Sequence, residues 1–211
     1  MNIEIVEQGT PEWKALRLGR VTASRVADVI AKTKSGPSAS RASYMAELIC
    51  ERLTGAAVEG FTNAAMAWGT ATEPQARSMY EFIRGVEVPQ VGFVHHPAIA
   101  MAGASPDGLV DDRGLIEIKC PTSATHIDTL LAEAVPGKYV TQMQWQMACC
   151  EREWCDFISF DPRLPVEMQL FVKRIERDDA FIKSTEAEVQ AFLAEIDDKI
   201  ARLTQKFARA A

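Results

Sequence analysis

Ser105-Pro106-Asp107-Gly108, followed by Gly114-Leu115-Ile116-Glu117-Ile118-Lys119-Cys120-Pro121, is the stretch that decides how this chain folds. Its second run is short, apolar and partly β-branched, bounded by Gly and Pro, which predicts a strand over Leu115–Lys119. Side chains alternate along a strand, so Glu117 and Lys119 share one face while Ile116 and Ile118 turn to the core. Charge on so apolar a strand must be paired or must ligate something. Asp107 lies one connection earlier. An antiparallel neighbour over Gly108–Val110 brings its carboxylate alongside Glu117.

Outward from there, Val91–His95 and Ile99–Ala104 read as two further strands, so four short strands form a meander. Thr10-Pro11 opens a short helix carrying Trp13, Leu16 and Leu18, with Thr as cap and Pro at the first helical position. Thr22 or Ser24 caps a helix with Val26, Val29 and Ile30 on one side. Lys32 to Ser40 is a basic loop, and a helix over Arg41–Leu53 ends at Gly55. A longer helix spans Asn63–Ile83 and closes at Gly85. After the meander come helices near Ala124–Ala134 and Gly137–Glu151, then strands over Trp154–Phe160 and Met168–Arg174. The last helix carries Val189, Phe192, Leu193, Ile196, Ile200, Leu203 and Phe207 as an amphipathic stripe, read as core packing. This order indicates an α/β (α+β) fold, a sheet flanked by helices, in one domain over residues 1–211.

The composition, 47% hydrophobic and 25% charged over 211 residues, is that of a globular domain. The N-terminus does not read as a signal peptide, and no run approaches the roughly 18 apolar residues of a membrane span. Cys50, Cys120, Cys149, Cys150 and Cys155 contain no Cys-x-x-Cys pair and are expected to be reduced and mostly buried, as in a cytosolic protein. The net charge of −6 is unevenly spread. Lys14, Arg17, Arg20, Arg25, Lys32, Lys34 and Arg41 face Asp28 alone between Trp13 and Arg41, while acids gather from Glu176 onward. Such a basic stretch permits a phosphate partner and equally suits a solvated helix face.

Two carboxylates converging beside a lysine suit a hard, oxygen-seeking cation such as Mg²⁺. Phosphodiester hydrolysis needs this combination, because a cation polarises the phosphoryl oxygens and activates water. Asp107 and Glu117 are the expected metal ligands, with the Ile118 carbonyl between them. Lys119 would orient the attacking water, and Glu73, on the preceding helix, would join the shell directly or through water. Taken singly, Asp107 could be a turn cap and Glu117 with Lys119 a surface pair. The cluster does not separate an exonuclease from an endonuclease or junction resolvase.

Pro106-Asp107…Glu117-Ile118-Lys119 is the motif of the PD-(D/E)xK nuclease superfamily, and the chain resembles its viral recombinase group, the lambda-exonuclease family. The likeness runs through Glu7-Gln8-Gly9, Leu16-Arg17-Leu18-Gly19, Thr22-Ala23-Ser24, Ala67-Trp68-Gly69…Glu73, Ser105-Pro106-Asp107-Gly108-Leu109, Lys119-Cys120-Pro121, Phe160-Asp161-Pro162-Arg163 and Ile175-Glu176-Arg177-Asp178. It implies a restriction-endonuclease-like fold with a central mixed sheet. The implied activity is a Mg²⁺-dependent 5′→3′ exonuclease, with two ions and Mn²⁺ as a substitute. Such an enzyme processively degrades the 5′-ended strand of linear double-stranded DNA to mononucleotides and leaves 3′ single strands for phage-type recombination. A homotrimeric ring, a single-strand annealing partner and a bacterial host cytoplasm, with phage or prophage origin, are also implied. A catalytically silent DNA-binding scaffold is the alternative of another class, disfavoured by the intact set Glu73, Asp107, Glu117 and Lys119.

The family's 5′-phosphate pocket maps onto Arg17, Ser24, Ser105 and Gln142, a guanidinium with hydroxyl and amide donors. Lys32 and Lys34 fall in its basic DNA-contacting loop; where the family has an arginine, Lys34 keeps the charge and loses the planar fork. Met66 falls at the wedge that parts the terminal base pair, and a core methionine is an equal reading there. His95 and His96, adjacent on a strand, point to opposite faces and with His126 read as structural rather than zinc-binding.

Overall fold

The computed structural model describes residues 1–34, 36–58 and 64–208. In chain order its elements are β1 (Asn2–Glu4), α1 (Pro11–Arg17), β2 (Val21–Thr22), α2 (Val26–Ile30), β3 (Lys32–Thr33), β4 (Gly36–Pro37), α3 (Ala39–Thr54) and α4 (Ala64–Arg84). Then follow β5 (Phe93–His95), β6 (Ala102–Ala104), β7 (Gly108–Val110), β8 (Gly114–Lys119), α5 (Ser123–Ala132), α6 (Gly137–Cys150), β9 (Trp154–Phe160), β10 (Leu170–Glu176) and α7 (Asp179–Ala208). The α/β expectation holds, and both larger sheets are mixed.

Local chemistry sets most boundaries. The Thr10 side chain accepts from Trp13 N at 3.3 Å with Pro11 opening α1. Ser38 caps α3 by accepting from Arg41 N at 3.2 Å, so that helix starts two residues before the expected Arg41. Gly55 ends it at φ 68°, in the left-handed region that glycine enters without steric cost. The expected start of the long helix, Asn63, lies outside the described residues. Neither Thr22 nor Ser24 caps α2. Thr22 instead precedes a 3₁₀ turn over Ala23–Arg25 and makes no side-chain cap hydrogen bond to it.

The expected meander divides. β5 and β6 pair antiparallel, as do β7 and β8, but β6 and β7 belong to different sheets. One sheet has the order β1-β5-β6-β2 and the other β10-β9-β8-β7, with a small β3–β4 ribbon beside them. Pro106 in the β6–β7 connection has no N–H to extend the ladder. β1, not anticipated, pairs with β5. β8 and β9 are parallel, which requires a long crossover, here α5 and α6.

This topology buries β8 on both faces. Leu115 packs into a large core with Val29, Tyr44, Met143, Met147, Phe157, Phe192 and Ile196 from the helices α2, α3, α6 and α7 and from β9. Ile116 and Ile118 enter a second core with Ala76 and Tyr80 of α4 and Ile158 and Phe160 of β9. Glu117 and Lys119 therefore share the Leu115 face, toward α6. On α7 the stripe is buried at Val189, Phe192, Leu193 and Ile196 and runs out of the core at the exposed Leu203 and Phe207. Cys50 is exposed and the other four cysteines are buried, all as free thiols.

Candidate active site

The β7–β8 register pairs Gly108 with Ile116, so Asp107 stands opposite Glu117 just beyond the last paired residue. Its side chain replaces the next ladder bond: Asp107 Oδ2 accepts from Ile118 N at 2.6 Å. In an extended strand the N–H and C=O of one residue face the same edge, so the Ile118 carbonyl lies on Asp107's side. Arg77 of α4 secures the connection from below, its Nε donating to the Asp107 carbonyl at 3.2 Å.

Glu117 is 1% exposed, and its charge is fully engaged. Gln142 Nε2 donates to Oε1 at 2.7 Å, Gln146 Nε2 donates to Oε2 at 2.6 Å, and Lys119 Nζ forms an ion pair with Oε1. The Lys119 ammonium also lies 5.3 Å from the Tyr139 ring centroid. Glu73 turns along its own helix to Arg77, whose Nη2 reaches its Oε1 at 2.7 Å.

The four expected residues share one electrostatic field. Burial raises the Asp107 pKa well above the ordinary carboxylate range, and Glu117 and Glu73 push the same way against Lys119. Burial raises Glu73 too, opposed by Arg77 and Lys119. For Lys119, burial acts downward but Glu117 and Asp107 outweigh it, so the ammonium is held above its usual value. Negative charge thus exceeds what the local cations neutralise, and the donors are hard oxygens. In both respects the set fits a divalent cation.

The site is not a ready-made cage. Among the described residues no three His, Cys, Asp or Glu side chains converge on one point. The reason is visible in the pairing: Arg77 holds Glu73 aside, while Lys119 and the two amides occupy Glu117. A cation entering beside Asp107 would compete with Lys119 for the same carboxylate oxygen.

Arg17 and Ser105 of the expected phosphate pocket are brought together. Ser105 Oγ accepts from Trp13 Nε1 at 3.0 Å and from Arg17 Nη1 at 3.3 Å, which leaves its own O–H proton to donate. The Arg17 guanidinium lies 4.3 Å from the Trp13 ring centroid. Burial lowers its pKa, against support from Tyr44 and Glu51. Arg17 and Ser24 line one cavity of about 280 Å³ with Lys14, Arg20, Tyr44 and Glu47. Gln142, by contrast, has its amide on Glu117.

The expected DNA-contacting residues lie on exposed elements. Lys32, on β3, has its ammonium 2.5 Å from Glu188 Oε1 of α7, so its charge is matched within the chain. Lys34 is exposed in the adjoining turn. Met66 is 53% exposed in the first turn of α4, which removes the core-methionine reading.

The histidines are structural. His126 Nε2 lies 2.8 Å from the Met168 carbonyl and Nδ1 2.7 Å from Ser159 Oγ, so Nε2 carries the proton and Nδ1 accepts. His96 stacks on Trp145, with its Nδ1 accepting from Ala98 N. His95 pairs with Glu4.

Gln146 and Arg77 were not expected at the site. A signal for Gln146 was present: Gln142 and Gln146 stand at i and i+4, on one face of a helix whose second half is buried. Arg77 bears the same spacing to Glu73.

Comparison with known proteins agrees with this geometry. Residues 12–153 match the model of the YqaJ-like viral recombinase domain. The crystal structure of LHK-Exo in complex with dAMP is 56% identical with a TM-score of 0.91, over 96% of this chain and 100% of that one. A second structure of LHK-Exo, an alkaline exonuclease from Laribacter hongkongensis, has a TM-score of 0.90 at the same identity and coverage. A phage related exonuclease from Haemophilus somnus 129PT, 19% identical over 87% of this chain and 96% of that one, shares the fold with a TM-score of 0.72. No curated protein matches the sequence. With the family model covering most of the chain and a 56% identical relative aligned along nearly all of it, the chain belongs to the YqaJ-like viral recombinase family, the lambda-exonuclease-like branch of the PD-(D/E)xK nucleases.

Proposed function

We propose that this chain is a Mg²⁺-dependent exonuclease that degrades the 5′-ended strand of linear double-stranded DNA to mononucleotides, leaving 3′ single strands for phage-type recombination. Its kinship with an alkaline exonuclease supports the exonuclease class. The observation that carries the chemistry is the gathering of Asp107, Glu117 and Lys119 at one end of β8, with Glu73 of α4 close enough to act on Asp107 electrostatically.

Asp107, Glu117 and the Ile118 carbonyl would hold Mg²⁺, with Glu73 joining directly or through water; two ions are proposed, and Mn²⁺ would suit the same oxygen donors. The cation supplies Lewis-acid polarisation of the phosphate and a water of lowered pKa. Lys119, freed from Glu117, donates to the attacking water and offsets charge on the phosphoryl oxygens. Arg17 and the hydroxyls of Ser105 and Ser24 bind the terminal 5′-phosphate, with Gln142 adding an amide N–H, since its NH₂ has two protons and Glu117 uses one. Lys32 and Lys34 meet the duplex backbone, and Met66 presents an apolar tip to the terminal base pair. A homotrimeric ring around the duplex, a single-strand annealing partner and action in the host cytoplasm complete the proposal. No helix among the described residues is long and apolar enough to cross a membrane.

The test is digestion, with Mg²⁺, of 5′-phosphorylated linear duplex, 5′-hydroxyl linear duplex and covalently closed circle, each strand end-labelled separately. Loss of the 5′-phosphorylated strand first, slower loss from the 5′-hydroxyl end and an uncut circle are expected. A cut circle would establish an endonuclease instead, and no cleavage with any divalent ion a binding scaffold.

A further inference from the structure

We infer that Gln146 is a positioning residue for Glu117: it holds the carboxylate in place when Lys119 leaves it. The inference rests on the nuclease site proposed above and adds a residue to it.

Gln146 is 0% exposed, on the α6 face that also carries Tyr139, Gln142, Met143, Cys149 and Cys150. A buried amide is unfavourable unless both its ends are paired. Here only one end is. Nε2 donates to Glu117 Oε2 at 2.6 Å, while Oε1 is buried with no hydrogen-bond partner among the described residues. The amide cannot turn to improve this, because its carbonyl would then face the carboxylate. Such an arrangement tolerates one lost bond in order to keep the other.

What that bond does follows from the other donors. Gln142 and Lys119 both serve Oε1, whereas Oε2 takes Gln146. If Lys119 is to act on water, it must release Oε1, and a glutamate end group rotates easily about its last torsion. The Gln146 bond to Oε2 blocks that rotation from the buried side. Outer-shell hydrogen bonds of this kind orient ligand carboxylates, and their removal lowers metal affinity by roughly 10–100-fold.

The experiment measures Mn²⁺ binding without DNA, following the free-ion EPR signal, for wild type, Gln146→Met and Glu117→Gln. Circular dichroism and melting confirm that each variant is folded. Gln146→Met keeps the length and volume of the side chain and removes the donor. A Mn²⁺ Kd raised about tenfold or more is expected. The metal concentration for half-maximal cleavage should rise with it, while the rate at saturating Mn²⁺ recovers toward wild type. A residue that merely filled space would shift melting and leave the Kd of the folded protein unchanged. A Kd within about twofold of wild type overturns the inference.

Should Gln146→Met fail to fold, Gln146→Leu takes its place. It too removes the N–H donor without bringing a second acid to Glu117, and an unchanged Kd there is equally fatal. Glu117→Gln separates the two levels. If it too binds Mn²⁺ and cleaves as wild type does, the metal site itself is misplaced. If it loses both while Gln146→Met is silent, only the role of Gln146 is wrong.

Discussion

Replacing Asp107 by Asn is expected to make the metal-free protein more stable while abolishing cleavage. Glu117 and Glu73 repel the carboxylate and Lys119 attracts it, and its pKa is driven well above the ordinary range by burial and those two acids. One unit charge at about 5 Å in a medium of effective dielectric near 20 contributes on the order of 3 kcal/mol. Two repulsions against one attraction leave a net penalty of about that size, reduced by solvent because Asp107 is partly exposed. Asn keeps an acceptor for Ile118 N but loses the charge assistance of that 2.6 Å bond, about 1 kcal/mol. The balance is a gain of about 1–2 kcal/mol, or about 2–8 °C in melting temperature for a domain of this size.

The assay is thermal unfolding at pH 8 in EDTA, repeated with Mg²⁺. The sign with pH follows from linkage. A carboxyl whose folded pKa is raised destabilises the folded state progressively above its unfolded pKa and in full above its folded one, so the advantage of Asn is largest at alkaline pH. It fades as pH falls from the raised pKa toward the ordinary carboxylate value, below which the carboxyl is protonated in both states. In Mg²⁺ at ten times its Kd the wild type gains about 1.4 kcal/mol and closes the gap, while the variant gains far less. A lower melting temperature for Asp107→Asn in EDTA at pH 8 would refute the electrostatic argument.

Lys119→Ala is expected to reduce cleavage by about a hundredfold or more while binding of duplex DNA, measured by gel shift, is largely retained. Arg17→Ala should slow initiation on 5′-phosphorylated duplex, and the loss should not add to that caused by removing the phosphate; additive effects would place the phosphate elsewhere. Tyr80→Phe deletes the hydroxyl that donates to buried Asp156 at 2.8 Å, a residue also held by Arg174. It should cost about 1–2 kcal/mol in denaturant unfolding with cleavage unchanged, since this network lies in the core rather than at the proposed site.

Period and punctuation carried much of the fold. The strands over Gly108–Val110 and Trp154–Phe160 run between the residues their composition indicates, because apolar alternation there is bounded by glycine, charge and proline. The Thr10-Pro11 start of α1 and the Gly55 end of α3 were legible because capping is a contact within four residues. The three-residue β1 was not legible, since so short a segment becomes a strand only by pairing with β5, some ninety residues away. The division of the expected meander was hidden for a similar reason: partner choice among short strands depends on what the helices cover.

The same boundary runs through the candidate site. Asp107, Glu117 and Lys119 could be read from sequence because one hairpin and one strand repeat bring them together, and both are local geometries. That Lys119 closes on Glu117, that Arg77 draws Glu73 aside and that Gln146 backs Glu117 depend on α4 and α6 being laid against β8. Sequence alone determined which chemical groups stand at the end of β8, since the two-residue repeat of a strand leaves no alternative. Tertiary packing alone decided which groups hold one another, because a hydrogen bond forms only when separate elements meet within about 3 Å.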